Sequence, residues 1–260
     1  MTHHQQPHYQ HQHQQVEFAL DRLTVGMEKR TGMSSKDRQE LVAYHEAGHA
    51  LAAALTPGFD EVGKITIIPR SNGAGGFTLF LPSDEQQDSG MYTRSYLESR
   101  LVVALGGRVA EELRYGMKDV TTGASSDLQQ VASLARNMVT QWGFASNALG
   151  QTAWEPSNGG GLYAPKMASE RTQVKIDKEV ELIVNKAHAK CQALLTENRG
   201  LLDKLTSTLM EEETIDTAQL KKLMADFGVQ APASARDMEK GGGGGGGEGG
   251  AVPEAELKAA

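Results

Sequence analysis

The sequence predicts a mainly α fold: a helical body, a small β-hairpin or sheet packed beside one of its helices, and a C-terminal helical bundle. Three observations lead there. Apolar residues recur at helical spacing through most of the chain between Ser34 and Gly228. Only two short stretches, 65–68 and 77–81, have the β-branched and aromatic content of strands, and the glycine-rich run 72–76 between them reads as a hairpin turn. The 39% apolar share is ordinary for a chain that buries a core, and 260 residues allow one or two domains.

Taken in order, residues 1–15 hold five of the eight histidines in a glutamine-rich, low-complexity run expected to be disordered. A short segment, 16–33, follows and contains Phe18-Ala19-Leu20-Asp21-Arg22-Leu23. Ser34 and Ser35 are N-cap candidates for the first long helix, and Thr56-Pro57-Gly58 is its stop signal. Leu41, His45, Gly48, His49, Ala52 and Leu55 share one face of that helix, and Gly48 with the alanines after it leaves room for another backbone to approach closely. The strand edges of the hairpin are suited to holding an extended peptide by backbone pairing. Residues 101–110 read as one buried apolar helix leading to Glu111 and Glu112. Ser126 and Gln129 form a capping-box pattern that places Asp127 in the first turn of another helix, continued by Leu128, Val131, Leu134, Ala135, Met138 and Trp142. The loop 151–172 is long enough to border a cleft. Ile176 to Leu195 forms the next helix, Leu201, Leu202, Leu205 and Leu209 continue a bundle, and Asp216 with Gln219 caps a last helix ending at Gly228. These stripes are core or subunit interface. The segment 231–260, with glycine at every position of 241–247, reads as a flexible tail.

The chemistry concentrates at His45-Glu46-Ala47-Gly48-His49, an H-E-x-x-H pattern. Two imidazoles four residues apart on a helix point the same way and supply two ligands of a zinc site, with Glu46 beside them to move a proton. A catalytic zinc needs a third protein ligand and keeps a fourth position for water. Asp127 is favoured, because the positive end of a helix dipole stabilises the ionised carboxylate that a metal requires. Glu111 and Glu112 remain the rivals. His188 lies in an amphipathic stretch suited to packing or solvent. The formal charge of −7 and the lack of basic tracts argue against nucleic-acid binding. The single cysteine, Cys191, rules out an internal disulfide and sits on an apolar helix face.

Four ordered blocks carry a family resemblance: Tyr44-His45-Glu46-Ala47-Gly48-His49-Ala50, Lys64-Ile65-Thr66-Ile67-Ile68-Pro69-Arg70, Gly106-Gly107-Arg108-Val109-Ala110-Glu111-Glu112 and Thr122-Gly123-Ala124-Ser125-Ser126-Asp127-Leu128. From about Phe18 to Val229 the chain resembles the peptidase domain of the FtsH family, membrane-anchored and ATP-driven zinc proteases. Ser89-Gly90-Met91-Tyr92-Thr93-Arg94-Ser95-Tyr96-Leu97 is most similar to the chloroplast and cyanobacterial branch. The resemblance implies a helical zincin-type metallopeptidase domain over 34–230. It implies zinc ligation by His45, His49 and Asp127, catalysis by Glu46, unfolded polypeptide substrates, and a hexameric ring with ATPase-bearing subunits at the chloroplast thylakoid membrane. Segment 16–33 resembles the last helix of the family's ATPase module. The chain departs from the family in having no G-x-x-x-x-G-K-[ST] phosphate loop and no run of about 20 apolar residues. It therefore reads as a C-terminal piece of that architecture. The alternative is a non-catalytic subunit lending helical surfaces to the ring.

Overall fold

The structure is a computed structural model, and it describes residues 27–28, 35–71, 73–83, 88–145, 149–155, 168–235 and 237. The expected disordered run 1–15, most of 16–33 and the glycine run of the tail lie outside the described residues. The order is α1 (Lys36–Ala54), β1 (Glu61–Thr66), β2 (Phe77–Leu81), α2 (Arg94–Ala104), α3 (Gly106–Tyr115), a 3₁₀ turn (Thr122–Ala124), α4 (Ser125–Thr140), α5 (Glu170–Glu197), α6 (Arg199–Glu212), β3 (Thr214–Asp216) and α7 (Thr217–Asp226). The fold is mainly α with one small antiparallel sheet, as the apolar periodicity predicts.

Helix α1 runs through the middle of the core. The side-chain oxygen of Ser35 accepts from Arg38 N–H to start it, and it ends at Leu55, before Thr56-Pro57-Gly58. Every residue from Ala43 to Ala53 except His45 is buried, because α1 is packed on several sides rather than one. On one side it meets α3 at backbone contact: a Cβ added at Gly106 would lie 2.6 Å from the Gly48 carbonyl oxygen, and one at Gly48 would strike Gly106 oxygen. Two small residues face to face thus realise the close approach that Gly48 predicts. On another side Tyr44 donates its hydroxyl to Asp203 Oδ1 of α6 at 2.9 Å.

The expected single helix over 101–110 is two helices, α2 and α3, broken at Leu105. Gly106-Gly107 weaken the helix locally. The break re-aims the chain so that α3 can lie against α1. The sheet has the order β2-β1-β3. The hairpin β1–β2 is present, with a bulge between Val62 and Lys64, but β1 begins earlier than predicted and pairs along its other edge with β3. The expected strand 65–68 ends as a ladder at Thr66, with Ile67 N–H still donating to Glu213 oxygen at 3.0 Å. Propensity cannot reveal a partner strand some 150 positions away.

Helices α5, α6 and α7 form the C-terminal bundle, with Ile176, Cys191, Leu195, Leu202, Leu205 and Leu209 fully buried. The box at Asp216 and Gln219 forms as predicted: Asp216 Oδ1 accepts from Gln219 N–H at 2.8 Å and Gln219 Oε1 from Asp216 N–H at 2.9 Å. Beyond α7 the chain stays attached for a few residues of the expected tail, with Gly58 N–H donating to Ala233 oxygen and Ala235 N–H to Phe59 oxygen. Of the expected cleft-bordering loop, residues 151–155 pack against the C-terminal end of α4 instead, through Trp154 N–H to Thr140 oxygen; 156–167 lie outside the described residues. No helix among the described residues is long and apolar enough to cross a membrane.

Candidate metal centre

Two helices place the three predicted ligands together. His45 and His49 lie one turn apart on α1, and Asp127 stands in the first turn of α4. His45 Nε2 is 3.1 Å from His49 Nε2 and 3.2 Å from Asp127 Oδ2, and His49 Nε2 is 3.6 Å from the same oxygen. Ligands about 2.0–2.2 Å from a tetrahedral zinc lie roughly 3.3–3.6 Å apart, so this triangle of two imidazole nitrogens and a carboxylate oxygen suits that ion once the His45 proton is displaced. Among the described residues these three form a group able to hold a metal. His188 is elsewhere, with Nε2 3.0 Å from Glu112 Oε2, and Glu112 also accepts from Arg108 Nε.

The helix bearing Asp127 is not started by the predicted box. Its N-cap is Ala124, without a side-chain cap, and Ser126 is already helical. The 3₁₀ turn before it is capped instead by Thr121, whose hydroxyl oxygen accepts from Gly123 N–H. Asp127 keeps a first-turn position, because α4 begins at Ser125, two residues earlier than the box requires. Leu128 and Trp142 do not join the buried stripe either: both are exposed, and α4 ends at Thr140.

Glu111, the rival ligand, braces the site from behind. It is only 1% exposed. Its Oε1 lies 2.9 Å from His45 Nδ1, the ring nitrogen facing away from the triangle, while Oε2 accepts from Thr121 N–H at 2.9 Å and Thr121 Oγ1 at 3.0 Å. One carboxylate therefore ties the metal helix to the turn that presents Asp127. His49 Nδ1 donates to Val103 oxygen at 2.8 Å. Both rings thus have partners on Nδ1 that leave Nε2 for a metal. Gly107 gives the His45 ring its space, since a Cβ there would come within 2.5 Å of it.

The charges agree with that arrangement. Burial pulls the His45 imidazolium down, but hydrogen bonds to Asp127 and Glu111 outweigh it and hold the ring at about 10. Burial pushes Asp127 up, and its hydrogen bonds to His45 and His49 more than reverse this, leaving it below the usual carboxylate range. Glu111 is lowered in the same way by His45 and Thr121 against its own desolvation. Glu46 is raised: burial dominates, offset only in part by the two histidines and Thr78.

Glu46 is buried beside the triangle, and Thr78 Oγ1 of β2 donates to its Oε2 at 2.9 Å. All four residues line a cleft of about 600 Å³ whose other walls include Phe77, Thr78 and Phe80 of β2 and the stretch 74–76 before it. Sequence reasoning misses Thr78, Thr121 and Gly107, and it weighs Glu111 as a ligand without seeing its contacts to His45 Nδ1 and Thr121. The only signals for them are that Gly107 lies inside one of the four blocks, Thr121 directly before another and Thr78 in the expected strand 77–81.

A helical body with an H-E-x-x-H helix at its centre, a metal-competent donor group and an open strand edge along one cleft defines a metallopeptidase domain. The comparisons with known proteins make this specific. The model for Peptidase family M41 matches residues 32–223, and the chain belongs to that family. It is similar to the ATP-dependent zinc metalloprotease FtsH 3 of Synechocystis, at 48% identity over 82% of this chain and 35% of that protein. It is also similar to the chloroplastic ATP-dependent zinc metalloproteases FTSH 1 of Oryza sativa (45%, over 82% and 31%) and FTSH 5 of Arabidopsis thaliana (44%, over 82% and 30%). The chain spans about a third of the length of these relatives.

Proposed function

We propose that this chain is the cutting domain of an FtsH-type zinc endopeptidase, acting on unfolded or membrane-derived polypeptide. The observation that carries this reading is the convergence of the His45, His49 and Asp127 donor atoms with Glu46 buried in the same cleft. His45, His49 and Asp127 would hold the zinc. Zinc, when bound, supplies Lewis-acid chemistry: a nucleophilic water near neutral pH and polarisation of the scissile carbonyl. Glu46 takes the proton of the attacking water and returns it to the leaving amine. Its burial, which favours the protonated carboxyl, suits it to keep that proton between the two events. Thr78 fixes one oxygen of Glu46 and leaves the other for the transfer. The open edge of β2 holds the substrate by backbone pairing, which demands an extended chain with free peptide groups and so selects unfolded polypeptide.

We further infer that the domain works in a hexamer with FtsH-type subunits carrying the ATPase, in the chloroplast and against the thylakoid membrane. The ATP dependence in the relatives' names supports the ATPase-bearing partner, and their chloroplastic label supports the organelle. A purely structural subunit has no use for four convergent residues with buried partners. The test is zinc content coupled to casein digestion. Glu46→Gln is expected to keep one zinc and lose cleavage by about 10²-fold or more. Asp127→Ala is expected to lose the metal. Cleavage retained by Glu46→Gln ends its assignment as base, and zinc retained by Asp127→Ala returns the third position to another residue.

A further inference from the structure

One charged side chain of the cleft has no part in peptide hydrolysis as described. Arg100, on α2, lines the cleft, and among the described residues no other arginine or lysine does. It is partly buried and makes no hydrogen bond or ion pair among the described residues. Its neighbours in sequence and fold behave differently: Arg94 pairs with Glu98, Arg108 with Glu112 and Arg114 with Glu40. The carboxylates of the cleft have other partners, since Glu111 is bound to His45 and Thr121, Glu46 to Thr78, and Asp60 Oδ2 accepts from the Tyr96 hydroxyl at 2.8 Å. A guanidinium partly sunk in a wall gives up hydration without compensation until an anion reaches it.

The wall around it is aromatic. Phe59 and Tyr96 stack with ring centres 5.5 Å apart, Tyr92 stacks on Tyr96 at 5.3 Å, and Phe80 meets Phe59 edge-on at 5.7 Å. All four rings line the cleft. Burial and Asp60 raise the Tyr96 phenol above its ordinary range and Arg100 works against them, so the guanidinium lies within electrostatic reach of this stack. A flat apolar platform beside a forked donor suits a peptide segment in which a carboxylate neighbours an apolar or aromatic side chain.

We propose that Arg100 and the Phe59–Tyr96–Tyr92 stack form a specificity subsite that receives a carboxylate of the bound polypeptide, either an acidic side chain or the chain's own C-terminal group. This rests on the reading of the cleft as a peptidase site. It makes the cutting selective, favouring acidic–aromatic sequence or carboxyl termini over neutral ones of equal length.

The test uses the full chain loaded with zinc and fluorogenic peptides in four forms: an internal Glu or Gln beside Phe, each with a free acid or an amide at the C-terminus. Cleavage gives kcat and KM, and fluorescence anisotropy with Glu46→Gln gives binding. Wild type is expected to favour at least one carboxylate over its amide by roughly tenfold, mainly in KM, as suits one charged hydrogen-bonded contact. The arm that discriminates identifies the source. Arg100→Gln is expected to abolish the preference and Arg100→Glu to invert it, with kcat on the all-amide peptide kept in the former. Cleavage without discrimination in either arm, or a preference untouched in Arg100→Gln, overturns the inference and leaves the peptidase reading intact. A wild-type chain that cuts nothing yet binds acids preferentially through Arg100 does the reverse.

Discussion

At the scale of single residues, the site stands on atoms that hold two others at once. Asp127 Oδ2 faces both histidines, and the Glu111 carboxylate faces His45 on one side and Thr121 on the other. Between two carboxylates the His45 ring keeps its proton up to about 10, so at neutral pH a metal must displace that proton before it can take Nε2. Zinc uptake is therefore expected to release close to one proton from this ring at pH 7–8. The release should fade, and the pH dependence of affinity flatten, as pH rises through about 10. Calorimetric titration in two buffers of different ionisation enthalpy counts the protons; a count near zero at neutral pH would contradict the arrangement. Glu111 shows why the third ligand stays open in sequence. Both it and Asp127 are carboxylates near the right blocks, and only the fold shows that one meets Nδ1 and the other Nε2.

At the scale of elements, the crossing of α1 and α3 decides whether the two histidines can be used. The helices touch through Gly48 and Gly106, and α3 brings both Glu111 and the space at Gly107 to His45. Gly48→Ala puts a methyl against the Gly106 carbonyl, a backbone atom that cannot rotate away. Overpacking of this kind costs roughly 1–3 kcal/mol. The expected result is a lower Tm and weaker zinc binding than wild type, read by thermal denaturation and by competition with a chromophoric chelator; unchanged values of both would show that the helices separate freely. The helices themselves were legible, since Ser35, Thr56-Pro57-Gly58 and the Asp216–Gln219 box are local signals acting over a few residues. What local pattern misreads is nonlocal. The break at Leu105 answers to α1, the short β3 is recognisable only beside β1, and α4 opens on a turn capped by Thr121 rather than on Ser126.

At the scale of the whole molecule, one core joins the metal helix to the C-terminal bundle. Leu51 and Val109 share it with Cys191, Leu195 and Leu205. Cys191 is fully buried, and burial pushes its thiol up to about 12, so a thiolate is essentially missing at pH 8 in the folded state. Alkylation of native protein by iodoacetamide is expected to be slower than in denaturant by several orders of magnitude, tracking global opening. Rapid labelling of the native chain, followed by mass spectrometry, would show that the bundle opens independently of the core. The sheet gives this unity a direction in time. The central strand β1 lies between β2, joined to it by a short turn, and β3, about 150 positions later. A ribosome releases β1, the metal helix and Asp127 long before it releases Thr214–Asp216. The strand that carries the hairpin alongside Glu46 therefore gains its second partner only after about 150 further residues have been made. The three-stranded sheet is thereby completed only after every residue of the metal-competent group has left the ribosome.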